Sequence, residues 1–250
     1  MYLAMENKMY KFIIIVFNFT IAYLLHFQYN IFDYDIEFFK YCGMVLSKGQ
    51  IPYKDFFDHK APLIYLLHYI AFELGHLGMY IIASTLSSIS SVFIFKLSST
   101  SNAHTKIALL ISILFTVMLY VPIVNSDLGL TRMFTTIFLV YFFYILFSSF
   151  KPKFLCLGII SALLFWMQQE QVLITLPFFI FALYEANKKE HESYLINILK
   201  AFFSFFILSL VMILVLYNYG IATLFWQEAF LFNFKSYHSN NQEQEVFKYI

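Results

Sequence analysis

Charge is scarce in this 250-residue chain: Asp, Glu, Lys and Arg make up 12% of it, against 61% hydrophobic residues and a mean hydropathy of +0.72. A soluble domain is about a quarter charged and about half apolar, so lipid rather than water is the expected solvent for most of this surface. The formal net charge is +1 and no basic stripe is present, which argues against nucleic acid as a partner. Cysteine is nearly absent. Cys42 and Cys156 are far apart in sequence, with no CxxC or Cys/His spacing, so neither a zinc site nor a disulfide framework is suggested. With 7 Gly and 5 Pro, no Gly-, Pro- or Ser-rich linker divides the chain, and no internal repeat is visible. One membrane domain over residues 1–250 is the simplest organisation.

Long apolar runs are what the chain has instead. Seven can be drawn, at about 12–29, 79–97, 107–124, 132–150, 154–168, 171–185 and 197–218, each near the ~20 residues that cross a bilayer once tilt is allowed for. The first runs from Phe12 toward Asn30 without a small-residue cleavage site, so it reads as a retained anchor and not a signal peptide. The fifth and sixth are separated only by "QQEQ", which predicts a helical hairpin. The expected fold is therefore all-α: a polytopic integral membrane protein of about seven spans. The 33 Phe and 19 Tyr suit the two bilayer interfaces, which enrich aromatic rings.

Loop charge orients the chain. With the amino terminus in the cytoplasm, Lys8, Lys11, Lys96, Lys106, Lys151, Lys153, Lys188, Lys189 and Lys200 fall on the inner side. The turns "VPIVNSD" and "QQEQ", on the outer side, carry no lysine, in keeping with the positive-inside rule. A plasma or inner membrane location follows. Residues 30–78 then form a first external loop. In it "PLIYLLHYIAFELG" starts at Pro62 and stops at Gly75, helix start and stop signals. It is expected to lie as an amphipathic interfacial helix, the alternative being a full span.

That loop concentrates ionisable groups. "DYDIEFFKYCGMVLSKGQIPYKDFFDHKAPLIYLL", beginning at Asp33, holds five acids and four lysines. Together with "NSD" at 125–127 and "QQE" at 168–170, it places three polar clusters on one side of the membrane. Ionisable groups at membrane depth are costly and usually face a cavity or a partner.

The run from Leu46 to Pro62, "LSKGQIPYKDFFDHKAP", resembles the first external loop of GT-C-fold glycosyltransferases. More narrowly, it is similar to the bacterial relatives of protein mannosyltransferases and of the lipid A aminoarabinose transferase. The resemblance covers the opening hundred residues well and the later spans loosely. It implies a transferase that takes a sugar from a polyprenyl-phosphate donor at the outer face. The acceptor would be a cell-envelope glycan, lipid or protein. The family's first-loop acid is the catalytic base, and counting back from Gly49 it matches Asp35, with Asp33 the close rival. A carboxylate there accepts the proton of the acceptor hydroxyl as its oxygen attacks the anomeric carbon; the lipid phosphate leaves from the opposite face, with inversion.

Lys60 matches the lysine that contacts the donor phosphate, where an ammonium offsets anionic charge; the plainer reading is a lysine snorkelling to water. Tyr53 and Pro52 are expected to fix the turn. Asp55 and Asp58 are read as loop-shaping acids that pair with Lys54 or Lys60, and His59 either assists or is a surface residue. Asp127 matches a second acidic position that in some relatives helps hold a divalent metal, for which Asp35 is the other candidate, or positions the substrate; capping a helix is the equal alternative. No cofactor is otherwise implied. Arg132 either pairs with Asp127 or faces the phosphate. Glu170 is a candidate sugar or metal contact, although Gln168 stands where relatives often carry a basic residue. Trp226 and Tyr237 are candidate stacking residues, whereas His68, Glu73 and His76 lack metal-ligand spacing and are taken as structural.

Two other readings compete. A carrier-lipid flippase or transporter would call for broken helices repeated in two halves, and none is visible. Family members are usually longer, with further spans and often an outer domain. The resemblance thus implies that the carboxy-terminal part of the architecture is missing, and an inactive truncated transferase is the third reading.

Overall fold

The computed structural model describes residues 2–28, 34–100, 104–120, 129–190 and 193–232, and these are helical with no strand among them. Each apolar run corresponds to one helix: α1 (Tyr2–Gln28), α4 (Gly78–Thr100), α5 (Thr105–Tyr120), α6 (Thr131–Phe147), α7 (Lys153–Met167), α8 (Gln171–Glu190) and α9 (Tyr194–Asn218). Two further helices, α2 (Tyr34–Ser47) and α3 (Leu63–Glu73), lie between α1 and α4. A short α10 (Ala222–Phe225) runs into a π-helical turn, Trp226–Leu231. Helix ends depart from the apolar runs. Helix α1 starts at Tyr2, α8 continues to Glu190 and α6 stops at Phe147. Apolar composition marks what is shielded from water, while backbone hydrogen bonding carries on into good helix formers such as "YEANKKE".

Helix α6 is the centre. Met133, Phe134, Ile137, Phe138 and Phe142 are all buried, covering one broad half of the helix. Helix α7 packs on it and on α9, and Gly158 makes that second contact close: a β-carbon there would strike the Ala201 carbonyl and the Ser204 hydroxyl. Small residues let helix backbones approach where burial of oil in oil supplies little drive. Trp166 Nε1 donates to Ser209 Oγ at 3.0 Å along the same seam. Helices α1, α4 and α5 meet through polar side chains. Asn18 Nδ2 donates to Thr116 Oγ1 at 3.0 Å, Ser91 and Thr116 hydroxyls lie 2.8 Å apart, and Ser87 and Tyr120 hydroxyls 2.5 Å apart.

Contacts assign the two ends of the bundle. Tyr10 meets Phe95, and Lys96 reaches Tyr144 at 3.2 Å, so lysine-bearing segments of α1 and α4 share an end with the close of α6. At the other end, Tyr80 bonds the Phe19 carbonyl, His68 lies against Gly129, and Trp166 against Phe225. The first loop, the start of α6, the α7–α8 turn and the C-terminal segment therefore gather there.

Two helices, Gly78–Ser99 and Tyr194–Asn218, are long and apolar enough to cross a membrane. Only 11% of the apolar window of α9 is buried inside the protein, whereas the core helix of a soluble protein is mostly covered. Phe202, Phe203, Ile207, Val211 and Leu214 all face outward, a larger apolar surface than water-soluble monomers usually leave open.

Candidate functional site

The first loop is a shaped element. Helix α2 ends in a Schellman turn: Gly49 takes φ +84°, Gln50 N–H bonds Val45 O and Gly49 N–H bonds Leu46 O. The chain then doubles back through "IPYKDF". Asp55 Oδ2 accepts the Ile51 N–H at 2.7 Å, and the Asp55 N–H returns a bond to Ile51 O at 2.9 Å. Tyr53 sits in the left-handed region, φ 66°, a strained choice for a residue with a β-carbon. Its compensation is tertiary. The ring is 4% exposed between Tyr65 and Phe225, and its hydroxyl donates to the Lys60 carbonyl at 2.7 Å.

Asp58 is the buried acid of the loop, 8% exposed. Its Oδ2 accepts the Tyr65 hydroxyl at 2.6 Å and its Oδ1 the His59 N–H at 2.7 Å. Burial, with the Asp58 charge among the further causes, holds the Tyr53 and Tyr65 phenols well above their ordinary range, so both remain O–H donors. The loop-shaping role expected for Asp55 and Asp58 is what the geometry gives, but the expected pairing with Lys54 or Lys60 does not occur among the described residues. Backbone N–H groups and a phenol are the partners instead, because they lie within the same turn and need no long side chain to be ordered.

Asp35, His59 and Lys60 are among the ionisable groups of the loop that reach solvent. Asp35 is exposed in the first turn of α2, where the helix N-terminus favours a negative charge. His59 and Lys60 are partly exposed. His59 Nδ1 lies 3.4 Å from Asp58 Oδ1. Burial lowers the His59 pKa and the Lys60 charge lowers it further, while Asp58 and then Asp35 oppose them. The imidazole thus feels both the lysine ammonium and the α2 carboxylate, which brings Asp35, Asp58, His59 and Lys60 into one electrostatic neighbourhood. Glu37, on the same turn as Asp35, is paired with Lys40 at 2.7 Å.

His68 is structural, as expected. It is buried and its Nε2 donates to Gly129 O at 2.9 Å, tying α3 to the entry of α6. Arg132 is exposed one residue inside α6. Asp33, Asp127 and Tyr237 lie outside the described residues, so the Asp33–Asp35 choice and the Asp127–Arg132 pair are not placed. Gln168 donates to Glu170 Oε1 at 2.6 Å and accepts the Thr135 hydroxyl at 3.3 Å, which occupies Glu170 at the α7–α8 turn. Cys42 and Cys156 are free thiols on different helices; burial and the Asp58 charge push the Cys42 thiol up to about 12. Among the described residues no three of His, Cys, Asp or Glu are grouped to hold a metal, so no chemical step is assigned to one.

Sequence reasoning missed two contributors. Phe232 lies against Phe57 at 5.2 Å and His59 at 6.1 Å between ring centroids. Glu228 lies on the π-helical turn; burial raises its pKa, the Asp58 backbone opposes that and the Asp58 charge adds to it. No local pattern links residue 228 to residue 58. The tract "FWQEAFLFNF" signalled only aromatic density.

The chain matches no family model, no curated protein and no solved structure.

Proposed function

We propose that this protein is a polytopic membrane glycosyltransferase that moves a sugar from a polyprenyl-phosphate donor to a cell-envelope acceptor, with inversion. The observation that carries this reading is the division of labour in the first loop. Asp55 and Asp58 are consumed by internal hydrogen bonds, while Asp35, His59 and Lys60 share one field and keep solvent access. A site for a phosphorylated lipid calls for a cation and a carboxylate presented at the end of an apolar bundle, held by groups that are themselves spent.

In the proposed reaction the Asp35 carboxylate accepts the proton of the acceptor hydroxyl while that oxygen bonds to the anomeric carbon. The bond from that carbon to the phosphate oxygen breaks on the opposite face, and its electron pair leaves with the lipid phosphate. The Lys60 ammonium lies against that phosphate and offsets its growing charge. The seven long helices would cross the plasma membrane with the amino terminus inside. Two length-qualified helices, the outward apolar face of α9 and the lysines gathered at one end support that topology.

The test is release of lipid phosphate from a polyprenyl-phosphate sugar by the purified protein. Asp35→Asn should reduce turnover by about 10²–10⁴-fold, the usual contribution of a general base. Lys60→Ala should weaken donor use by a rise in KM as well as a fall in kcat. Unchanged turnover in Asp35→Asn removes that residue from the mechanism, and lipid scrambling without sugar release would replace the transferase with a flippase.

A further inference from the structure

The lysine-bearing end of the bundle holds a cation seated on aromatic rings. Lys96 lies one turn before the end of α4 and is partly buried. Its ammonium donates to the Tyr144 hydroxyl at 3.2 Å. It also lies over two rings, 5.2 Å from the centroid of Tyr144 and 5.6 Å from that of Phe93. Those rings stack on each other, 3.9 Å apart and 9° from parallel. Tyr141 buttresses the stack. Its ring meets Phe93 edge-on at 5.3 Å, and its hydroxyl donates to the Leu86 carbonyl at 2.7 Å. The seat is thus built from α4 and α6 together.

An ammonium has three N–H donors, and the phenol takes one. Ring faces attract the charge without neutralising it. Among the described residues Lys96 has no ion-pair partner. The run from Lys96 to Lys106, "KLSSTSNAHTK", and that from Phe147 to Lys153, "FSSFKPK", contain no acid. A lysine that only sought water would extend its stem away from the protein, whereas this one lies against α6. Phe93 and Ile89, at i−3 and i−7, continue the same face of α4 toward the middle of the helix, and Ile89 is exposed. A cation therefore tops an apolar strip that is open to the surroundings.

We propose that Lys96, on the Phe93–Tyr144 platform, binds the headgroup phosphate of an anionic phospholipid of the inner leaflet, with an acyl chain lying along Phe93 and Ile89. Basic pockets between helices at the cytoplasmic side of a membrane suit such headgroups. The phosphate takes the donors that the phenol leaves over and supplies the charge that no side chain provides. The site rests on the membrane orientation proposed above and not on sugar transfer, which belongs to the other end of the bundle.

The full chain, delipidated in detergent micelles, is titrated with dioleoyl phosphatidylglycerol, and lipid adducts on the folded protein are counted by native mass spectrometry. Dioleoyl phosphatidylcholine, with the same chains under a zwitterionic headgroup, is the control. Wild type should bind the anionic lipid about tenfold more tightly than the zwitterionic one. Lys96→Gln should erase that preference, a loss of about tenfold for one charge-assisted contact, and Lys96→Arg should keep it. Lys106→Gln removes an exposed lysine at the start of α5 and should weaken binding by about threefold or less. Tyr144→Leu leaves the lysine and takes away its platform, and should weaken binding by about threefold. It carries the test should Lys96→Gln fail to fold. Equal binding of the two lipids overturns the proposal, as does wild-type affinity in Lys96→Gln or Tyr144→Leu. Equal losses from Lys96→Gln and Lys106→Gln would replace the site with diffuse attraction. Displacement of the lipid by excess inorganic phosphate would make it a site for the free anion. Each of these failures leaves the sugar-transfer reading where it stands.

Discussion

Tyr65→Phe removes one hydroxyl and leaves the ring that packs against Phe39, Tyr53 and Phe56. The lost bond is the 2.6 Å donation to Asp58 Oδ2, and Asp58 is too buried for water to take over readily. A hydrogen bond to a charged group contributes about 1.5–3 kcal/mol, whereas one between neutral groups contributes about 0.5–1.5 kcal/mol. Tyr53→Phe deletes a bond of the second kind, hydroxyl to the Lys60 carbonyl. Tyr65→Phe should therefore cost roughly twice as much as Tyr53→Phe. The assay is hydrogen exchange of the detergent-solubilised protein, read at residues 51–62. At about 1.4 kcal/mol per tenfold, amides in that segment should exchange about 10–100-fold faster in Tyr65→Phe. The His59 amide is the sharpest probe, because it donates to the other Asp58 oxygen. Amides of α6 should not change. Equal exchange in wild type and Tyr65→Phe, or a larger effect from Tyr53→Phe, would refute the view that Asp58 is the main anchor of the loop.

Two more outcomes follow from packing and titration. Burial, against the Gly129 hydrogen bond, depresses the His68 pKa to about 4 from 6.5. The folded state thus refuses a proton that the unfolded state accepts below pH 6.5, so stability falls as pH drops from 6.5 to about 4 and is level above 6.5. The total is on the order of 3 kcal/mol, read as a loss of protection in α3 at pH 4.5 that His68→Gln abolishes. Gly43→Ala places a β-carbon 2.7 Å from the His68 carbonyl carbon. It should part α2 from α3 at a cost of about 1–3 kcal/mol, seen as a lower melting point in detergent, while Gly49→Ala loosens the loop without that clash.

Helices α1 and α4 to α9 were legible because each carries a long apolar run, and seven such runs stand in the sequence. The ends of α3 were legible too: Pro62 cannot donate within a helix, and Gly75 takes φ +80° just past the end of α3. Asp55 and Tyr53 betrayed themselves as turn residues, since their partners lie within a few positions. Less could be read where partners are remote. His68 was recognisable as structural, but nothing near it named Gly129. Asp58 was assigned to lysines when a phenol seven residues away was the donor. Phe232 had no local signature at all, because its contacts with Phe57 and His59 come from the folding of the C-terminal segment onto the loop.

Tyr53, Asp55, Asp58 and Tyr65 close their bonds within a short stretch of sequence, whereas Phe225 and Phe232 pack onto the loop from the opposite end of the described chain. A ribosome would thus deliver the loop's own scaffolding early and its outside brace only after nearly all the helices have been made. During synthesis the nascent protein should carry a formed but unbraced loop. Any premature termination before residue 225 would leave that half-finished state as the product.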